Sequence, residues 1–220
     1  MNVLIYTVPR SGSTLLFNIC RLLFEQVYGK EEIYSNWVQF FNPNKQKKHN
    51  ICKIHDRDEK YIKWANKILT CVRDLRYIVA SYSDFNPKFN INNPNDLKNV
   101  CNTFVRMIEN NQKIADYVFK YEFFFDDKVN TIIEIANVLE LPVKKINISE
   151  IVNQLDEIKN KKYDKLDKEV TQMHPNHISA KADADITQRM TKEQITFIES
   201  NFCNFFSKHG YKTNFLIKMM

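Results

Sequence analysis

Glycine is almost missing from this chain, with Gly12, Gly29 and Gly210 the only three in 220 residues. No glycine-rich linker and no internal repeat divides it, so one domain spanning 1–220 is expected. Long apolar runs are also missing. Nothing approaches the roughly 18 residues of a membrane span, and no charged n-region followed by an apolar segment opens the chain. A cytoplasmic protein with neither signal peptide nor membrane span is the expectation. Cysteine is sparse and odd in number: Cys20, Cys52, Cys71, Cys101 and Cys203 are widely spaced and lie mostly in apolar runs. That pattern suits buried free thiols in a reducing compartment and excludes a disulfide frame or a zinc site. His174 and His177 lack a third ligand nearby, so no metal site is expected. The net charge is +6, yet the lysines are scattered and form no dense basic block with interleaved aromatics. Nucleic acid is therefore not the favoured partner, although the charge suits an anionic ligand.

What is present starts at the N-terminus. Val3-Leu-Ile-Tyr-Thr7 is a short apolar, β-branched and aromatic run that reads as a buried strand. Leu15, Leu16, Ile19, Leu22, Leu23 and Val27 recur at spacings of three and four, the stripe of an amphipathic helix. Between them lies T-V-P-R-S-G-S-T. A polar loop from a strand into a helix aims its free N–H groups, with the positive end of the helix dipole behind them, at an anion. Gly12 allows close approach of the main chain. Arg10 adds a bidentate cation, and Ser11, Ser13 and Thr14 add hydroxyl donors. An ordinary turn with a capping serine is the plainer alternative for these residues.

Further along, strand-like and helix-like patterns alternate. Residues 51–55 and 68–72 read as strands, 76–85 and 97–116 as helices, 118–121 as a fourth strand, and 129–139 as a helix ending before Pro142. Residues 86–95 read as a surface loop, and 159–168 as a highly charged stretch that is either a solvated helix end or a mobile segment. Thr191 with Gln194 forms a capping box for a helix running to about residue 206, with Gly210 as a stop. The alternation predicts an α/β fold, a central parallel sheet flanked by helices as in a P-loop NTPase-like three-layer sandwich. Ligands would bind at the carboxyl ends of the strands.

Two further constellations carry chemistry. In Lys53-Ile-His55 the lysine and histidine point to one side of a strand. A cation there neutralises charge on a leaving oxygen, and a neutral imidazole takes a proton from an attacking hydroxyl. In the run from Val72 to Tyr82, Arg73 ends a strand, Asp74 caps the next helix, and Ser81 lies on the same helix face as Asp74, so arginine and serine converge on one phosphate. Taken singly, a hydrogen-bonded surface histidine and a solvated arginine in a turn explain them as well.

As an ordered set the three stretches resemble the sulfotransferases that use 3′-phosphoadenosine 5′-phosphosulfate (PAPS). Pro9-Arg-Ser-Gly-Ser-Thr14 is similar to the family's P-[RK]-[ST]-G-[ST]-[ST] loop, which binds the 5′-phosphosulfate. Arg73 and Ser81 keep the spacing of the pair that binds the 3′-phosphate. Lys53-Ile-His55 is similar to the K-T-H of the cytosolic branch, whose histidine is the catalytic base and whose lysine touches the bridging oxygen. Tyr121-Glu122 matches a Y-E-D-L strand end, and the run from Met190 to Tyr211 resembles the last helix. The resemblance implies sulfuryl transfer from PAPS to a hydroxyl or amine, with no metal, and with a small molecule or glycan as acceptor. The acceptor would lie over the variable loops around residues 30–50 and 86–96. Two departures stand out. Leu15 replaces a tryptophan that stacks on adenine, and the R-K-G-x-x-G clamp is absent, leaving Lys181 as its substitute at the 3′-phosphate. The rival readings are a P-loop kinase or NTPase, for which Ser13 occupies the place of the phosphate-binding lysine, and a non-catalytic anion-binding module of the same fold.

Overall fold

A computed structural model of the chain describes residues 1–167, 170–174 and 184–213. Among these residues five strands form one sheet: β1 (Asn2–Tyr6), β2 (Ile33–Trp37), β3 (His49–Ile54), β4 (Lys67–Val72) and β5 (Tyr117–Lys120), in the order β2-β3-β1-β4-β5. Every pairing is parallel. All carboxyl ends therefore meet at one edge of the sheet. The register places Lys53 beside both Ile5 and Trp37.

Helices cover both faces, and the strands alternate between them. Val3, Ile5, Ile51, Leu69, Cys71 and Phe119 pack under α1 (Ser13–Tyr28) and the later α6 (Lys128–Val138) and α7 (Ile148–Asn160). On the other face Leu4, Tyr6, Cys52 and Ile54 meet the aromatic side of α2 (Glu59–Trp64). Val72 joins a second cluster with α3 (Leu75–Phe85), α4 (Pro94–Gln112), α8 (Lys192–Asn201) and α9 (Cys203–His209). A short helix, α5 (Tyr121–Asp126), follows β5 directly. No helix among the described residues is long and apolar enough to cross a membrane.

Several elements differ from the sequence reading. β2 lies inside the stretch read as variable loop, because its Ile-Tyr-Ser-Asn-Trp lacks the apolar run that marks an interior strand. α7 occupies a stretch to which the sequence pattern assigns no element, and its end falls at the start of the charged residues 159–168. The last helix is two, broken at Phe202, whose φ of −126° leaves the helical range. The capping box of Thr191 and Gln194 forms, and Gly210 ends α9 in the left-handed conformation. α1 is buried on nearly all sides, since α6 and α7 pack against it. Its Arg21 lies in that interior, tied to Glu25 at 2.6 Å. The thiols of Cys20, Cys52, Cys71 and Cys101 are buried and free, and Cys203 is free and half-buried.

Arg76 joins the two C-terminal helices to the sheet edge. Its guanidinium contacts the carboxylates of Asp74 and Glu199 and donates to the Lys212 carbonyl. Both carboxylate side chains are nearly inaccessible, at 6% and 2% exposure. Removing the cation strands two buried negative charges, so Arg76→Met is expected to destabilise the fold by about 3–5 kcal/mol. Denaturant unfolding checks this, and a loss below ~1 kcal/mol would show that the network is solvated.

Candidate active site

The loop from β1 to α1 sits at the centre of the carboxyl edge. Two of its residues have left-handed backbone, Arg10 with φ 66° and Gly12 with φ 103°. Gly12 is the N-cap of α1, where no side chain caps the helix and no acidic residue occupies the first turn. The capped helices differ: Asp58, Asp74, Asn93, Asp127, Asn147 and Thr191 each accept from their own first-turn amides. The first amides of α1 thus form a bare, electropositive helix start.

Gly12 has a second duty beyond exposing these amides. A Cβ there would lie 2.3 Å from Cδ2 of Tyr121, the first residue after β5. Only glycine tolerates both the positive φ and the ring pressed against it. The loop hydroxyls, grouped together in the sequence reading, divide their work. Ser11 is fully buried and donates to the Val8 carbonyl at 2.8 Å, bracing the loop from within. Thr14 accepts from Lys53 Nζ at 3.0 Å, and Ser13 is buried beside it.

Lys53 reaches Thr14 because it occupies the face of β3 that α1 covers. Its ammonium lies 5.8 Å from the Phe17 ring centroid and 5.5 Å from that of Trp37, and burial lowers its pKa to about 7. His55, one residue past β3, donates from Nδ1 to the Thr7 carbonyl at 2.9 Å. Burial pushes its pKa down to about 4, aided by Lys53 and opposed by the Thr7 contact. The ring is therefore neutral at pH 7 with its proton on Nδ1, and Nε2 is the nitrogen able to accept a proton. The Trp37 ring meets it edge-on at 5.8 Å.

On the other side of the loop, Arg73 follows β4. It donates to the Arg10 carbonyl at 3.1 Å, lies 4.3 Å over the Tyr121 ring, and approaches Glu122 at 3.7 Å. Glu122 accepts from the Asp74 amide at 3.1 Å and from Tyr211 at 2.9 Å. Burial raises its pKa against the pull of Arg73. The Arg10 side chain swings away from the helix start: its Nε donates to Ser81 Oγ at 2.8 Å, and the guanidinium stacks 5.4 Å from Phe85. Beyond Arg73 opens a cleft of ≈ 240 Å³ lined by Tyr77, Tyr121, Glu122, Phe125 and Lys159.

Arg10, Ser11, Gly12, Ser13, Thr14, Lys53, His55, Arg73 and Ser81 thus share one edge of the sheet. Lys181 and His177 lie outside the described residues. Trp37 carried no sequence signal, since it ends a strand that the pattern did not show. Tyr121 was visible as a motif residue, but its contact with Gly12 was not. Among the described residues no group of three or more His, Cys, Asp or Glu is arranged to hold a metal ion.

The α/β architecture is shared with a sulfotransferase of known structure. Mouse sulfotransferase SULT7A1 in complex with PAP, the 3′,5′-bisphosphate, superposes with a TM-score of 0.63 at 14% identity, covering 94% of this chain and 83% of that one. Retinol dehydratase in complex with retinol and PAP superposes at only 0.44 with 14% identity over 71% of this chain and 64% of that one, too coarse a likeness to carry weight. No family model and no curated protein matches the sequence.

The contact between Gly12 and Tyr121 is measurable as a coupling. Gly12→Ala is expected to destabilise the protein by about 2 kcal/mol or more, combining backbone strain with the clash. In the double variant with Tyr121→Ala the clash is relieved, so thermal or denaturant unfolding should show a smaller loss than the sum of the singles. Strict additivity would show that the ring does not constrain the loop.

Proposed function

We propose that this chain is a sulfotransferase that moves a sulfuryl group from PAPS to a hydroxyl or amine acceptor. The observation that carries the reading is the convergence of a neutral histidine and a buried lysine on an uncapped helix N-terminus. Both hold onto the loop itself, His55 through Thr7 and Lys53 through Thr14. A non-catalytic module has no need of that pairing. A P-loop kinase needs its lysine inside the loop, where Ser13 stands, whereas here the cation comes from β3.

The residues fit a nucleotide carrying phosphates at both ends. The bare amides of α1 suit the 5′ side. Arg73 and Ser81 suit the 3′-phosphate, as the spacing of these two residues implied. The cleft beyond Arg73 would hold the adenosine, with Tyr121 and Phe125 as aromatic surfaces where Leu15 supplies none. PAPS itself supplies an activated sulfuryl group whose departure leaves negative charge on a phosphate oxygen. Lys53 is placed to neutralise charge at the helix start, and its burial strengthens that attraction. His55 Nε2 takes the acceptor proton while Nδ1–H stays on the Thr7 carbonyl, which keeps the ring oriented through the transfer. The acceptor would enter beside Trp37. The transferred group is less charged than a phosphoryl group, so protein cations suffice on this reading.

Three measurements test it. Melting temperature should rise more with 3′,5′-ADP than with 5′-AMP at equal concentration, because only the former adds a 3′-phosphate to native-state binding. Equal shifts would remove Arg73 and Ser81 from the site. PAP release from PAPS, assayed across simple phenols, alcohols and amines, should fall about 10²–10⁴-fold in His55→Ala, with 3′,5′-ADP affinity retained. An unchanged rate would exclude the histidine as base. The pH profile of kcat/KM follows from the two titrations. His55 must be neutral, so activity rises through about pH 4, and Lys53 must be charged, so activity falls through about pH 7. A profile flat from pH 6 to 9 would show that the charge on Lys53 is not used.

A further inference from the structure

We infer that Arg189, which belongs to none of the sequence motifs, is a third cation of the pocket for the nucleotide's 3′-phosphate, completing it with Arg10 and Arg73 around Ser81. This inference rests on the sulfotransferase reading above. Arg189 ends the short turn Ile186–Gln188 before α8 and donates to Asp84 at 2.7 Å. Asp84 lies one helical turn beyond Ser81 on α3, and Ser81 accepts from Arg10. Arg10 and Arg189 therefore approach the same stretch of α3 from different loops. Burial and the like charges of Arg73 and Arg189 hold the Arg10 guanidinium below its ordinary pKa, with Asp84 opposing them.

The pairing is unequal. The Arg189 side chain is 2% exposed, whereas Asp84 is 46% exposed, so the arginine is drawn inward and does not reach out to a surface carboxylate. Its Nε–H is buried with no hydrogen-bond partner among the described residues, and the same holds for Nε of Arg73, whose nearest carboxylate oxygen is 3.7 Å away. Among the described residues the two unmet guanidinium donors, on Arg73 and Arg189, lie beside the carboxylates of Glu122 and Asp84. Unmet guanidinium donors in a buried site match an oxyanion with several acceptor oxygens, and a phosphate monoester dianion supplies both the charge and the oxygens. The absent R-K-G-x-x-G clamp gives the same site a reason to recruit cations from elsewhere in the chain.

The test is isothermal titration with 3′,5′-ADP and with 5′-AMP, which lacks only the 3′-phosphate. Arg189→Met is expected to weaken 3′,5′-ADP by about tenfold or more, the scale of a charge-assisted contact, while leaving 5′-AMP within about twofold. A variant that keeps the wild-type ratio of the two affinities overturns the inference and leaves Arg189 a tether for α3. If wild type itself binds the two nucleotides equally, the 3′-phosphate reading falls and the inference with it. Should Arg189→Met fail to fold, Asp84→Asn keeps the arginine and raises the local positive charge. It should tighten 3′,5′-ADP relative to 5′-AMP, and an unchanged ratio overturns the proposal.

Discussion

The candidate site depends on one awkward piece of backbone, the turn that carries β1 into α1. Two of its residues sit in the left-handed region, and one of them, Arg10, has a side chain. Such a residue costs on the order of 1–2 kcal/mol unless its surroundings hold it. Here they do: Arg73 donates to its carbonyl, Ser81 accepts from its Nε, and Ser11 ties the loop to Val8. The turn brings Gly12 under the Tyr121 ring and sets the start of α1 over Lys53. Loop, helix start and the ends of β3, β4 and β5 are therefore fixed by the same few contacts. Disturbing the turn moves both phosphate subsites of the proposed nucleotide together.

Buried charge in this protein falls into two kinds. Arg76 is surrounded by Asp74 and Glu199 and lies between the sheet edge and the C-terminal helices, so its charge is compensated and its role is structural. Among the described residues Lys53 has no carboxylate against it, only a threonine hydroxyl and two aromatic faces. Its lowered pKa is the mark of that poverty. A cation kept in a dry site without a counter-ion destabilises the empty protein and is worth keeping only if an anion arrives to complete it. Arg73 and Arg189 stand between the two kinds, since each approaches a carboxylate while its buried Nε has no hydrogen-bond partner among the described residues.

The parts of this fold that depend on local pattern were legible in the sequence. Interior strands β1, β3 and β4 are apolar runs, and they fell within a residue or two of the expected places. The parts that depend on partners were not. β2 is an edge strand with Ser35 and Asn36 buried, and no periodicity distinguishes such a strand from a loop. The break at Phe202 has neither proline nor glycine to signal it. Of the site, Arg10, Gly12, Lys53, His55, Arg73 and Ser81 stood out because each lies in a short motif at a strand end. Arg189 could not: its link to Asp84 spans 105 residues, and its significance lies in unmet donors, which only three-dimensional packing reveals. The direction of the Arg10 side chain was likewise invisible, because a motif gives a residue's place on the chain and not where a long side chain ends.

The uncapped start of α1 makes the same point from the side of stability. Most of the longer helices begin with an aspartate, asparagine or threonine that accepts from their own first amides, a device worth about 1 kcal/mol each. The sequence uses it freely, so its omission at the most buried helix is not for want of suitable residues: Ser11 and Ser13 flank the N-cap position. Ser11 turns its hydroxyl inward to Val8 instead, and glycine takes the cap. A serine at position 12 would supply its own oxygen to those amides, but its Cβ would strike Tyr121 and the positive φ would be strained. Choosing Gly12 thus gives up a local cap and gains two things at once: amides left open to an external anion, and a seat for the tyrosine that lines the neighbouring cleft. That exchange is what a fold built to stand alone would avoid, and what a fold built around an anionic ligand requires.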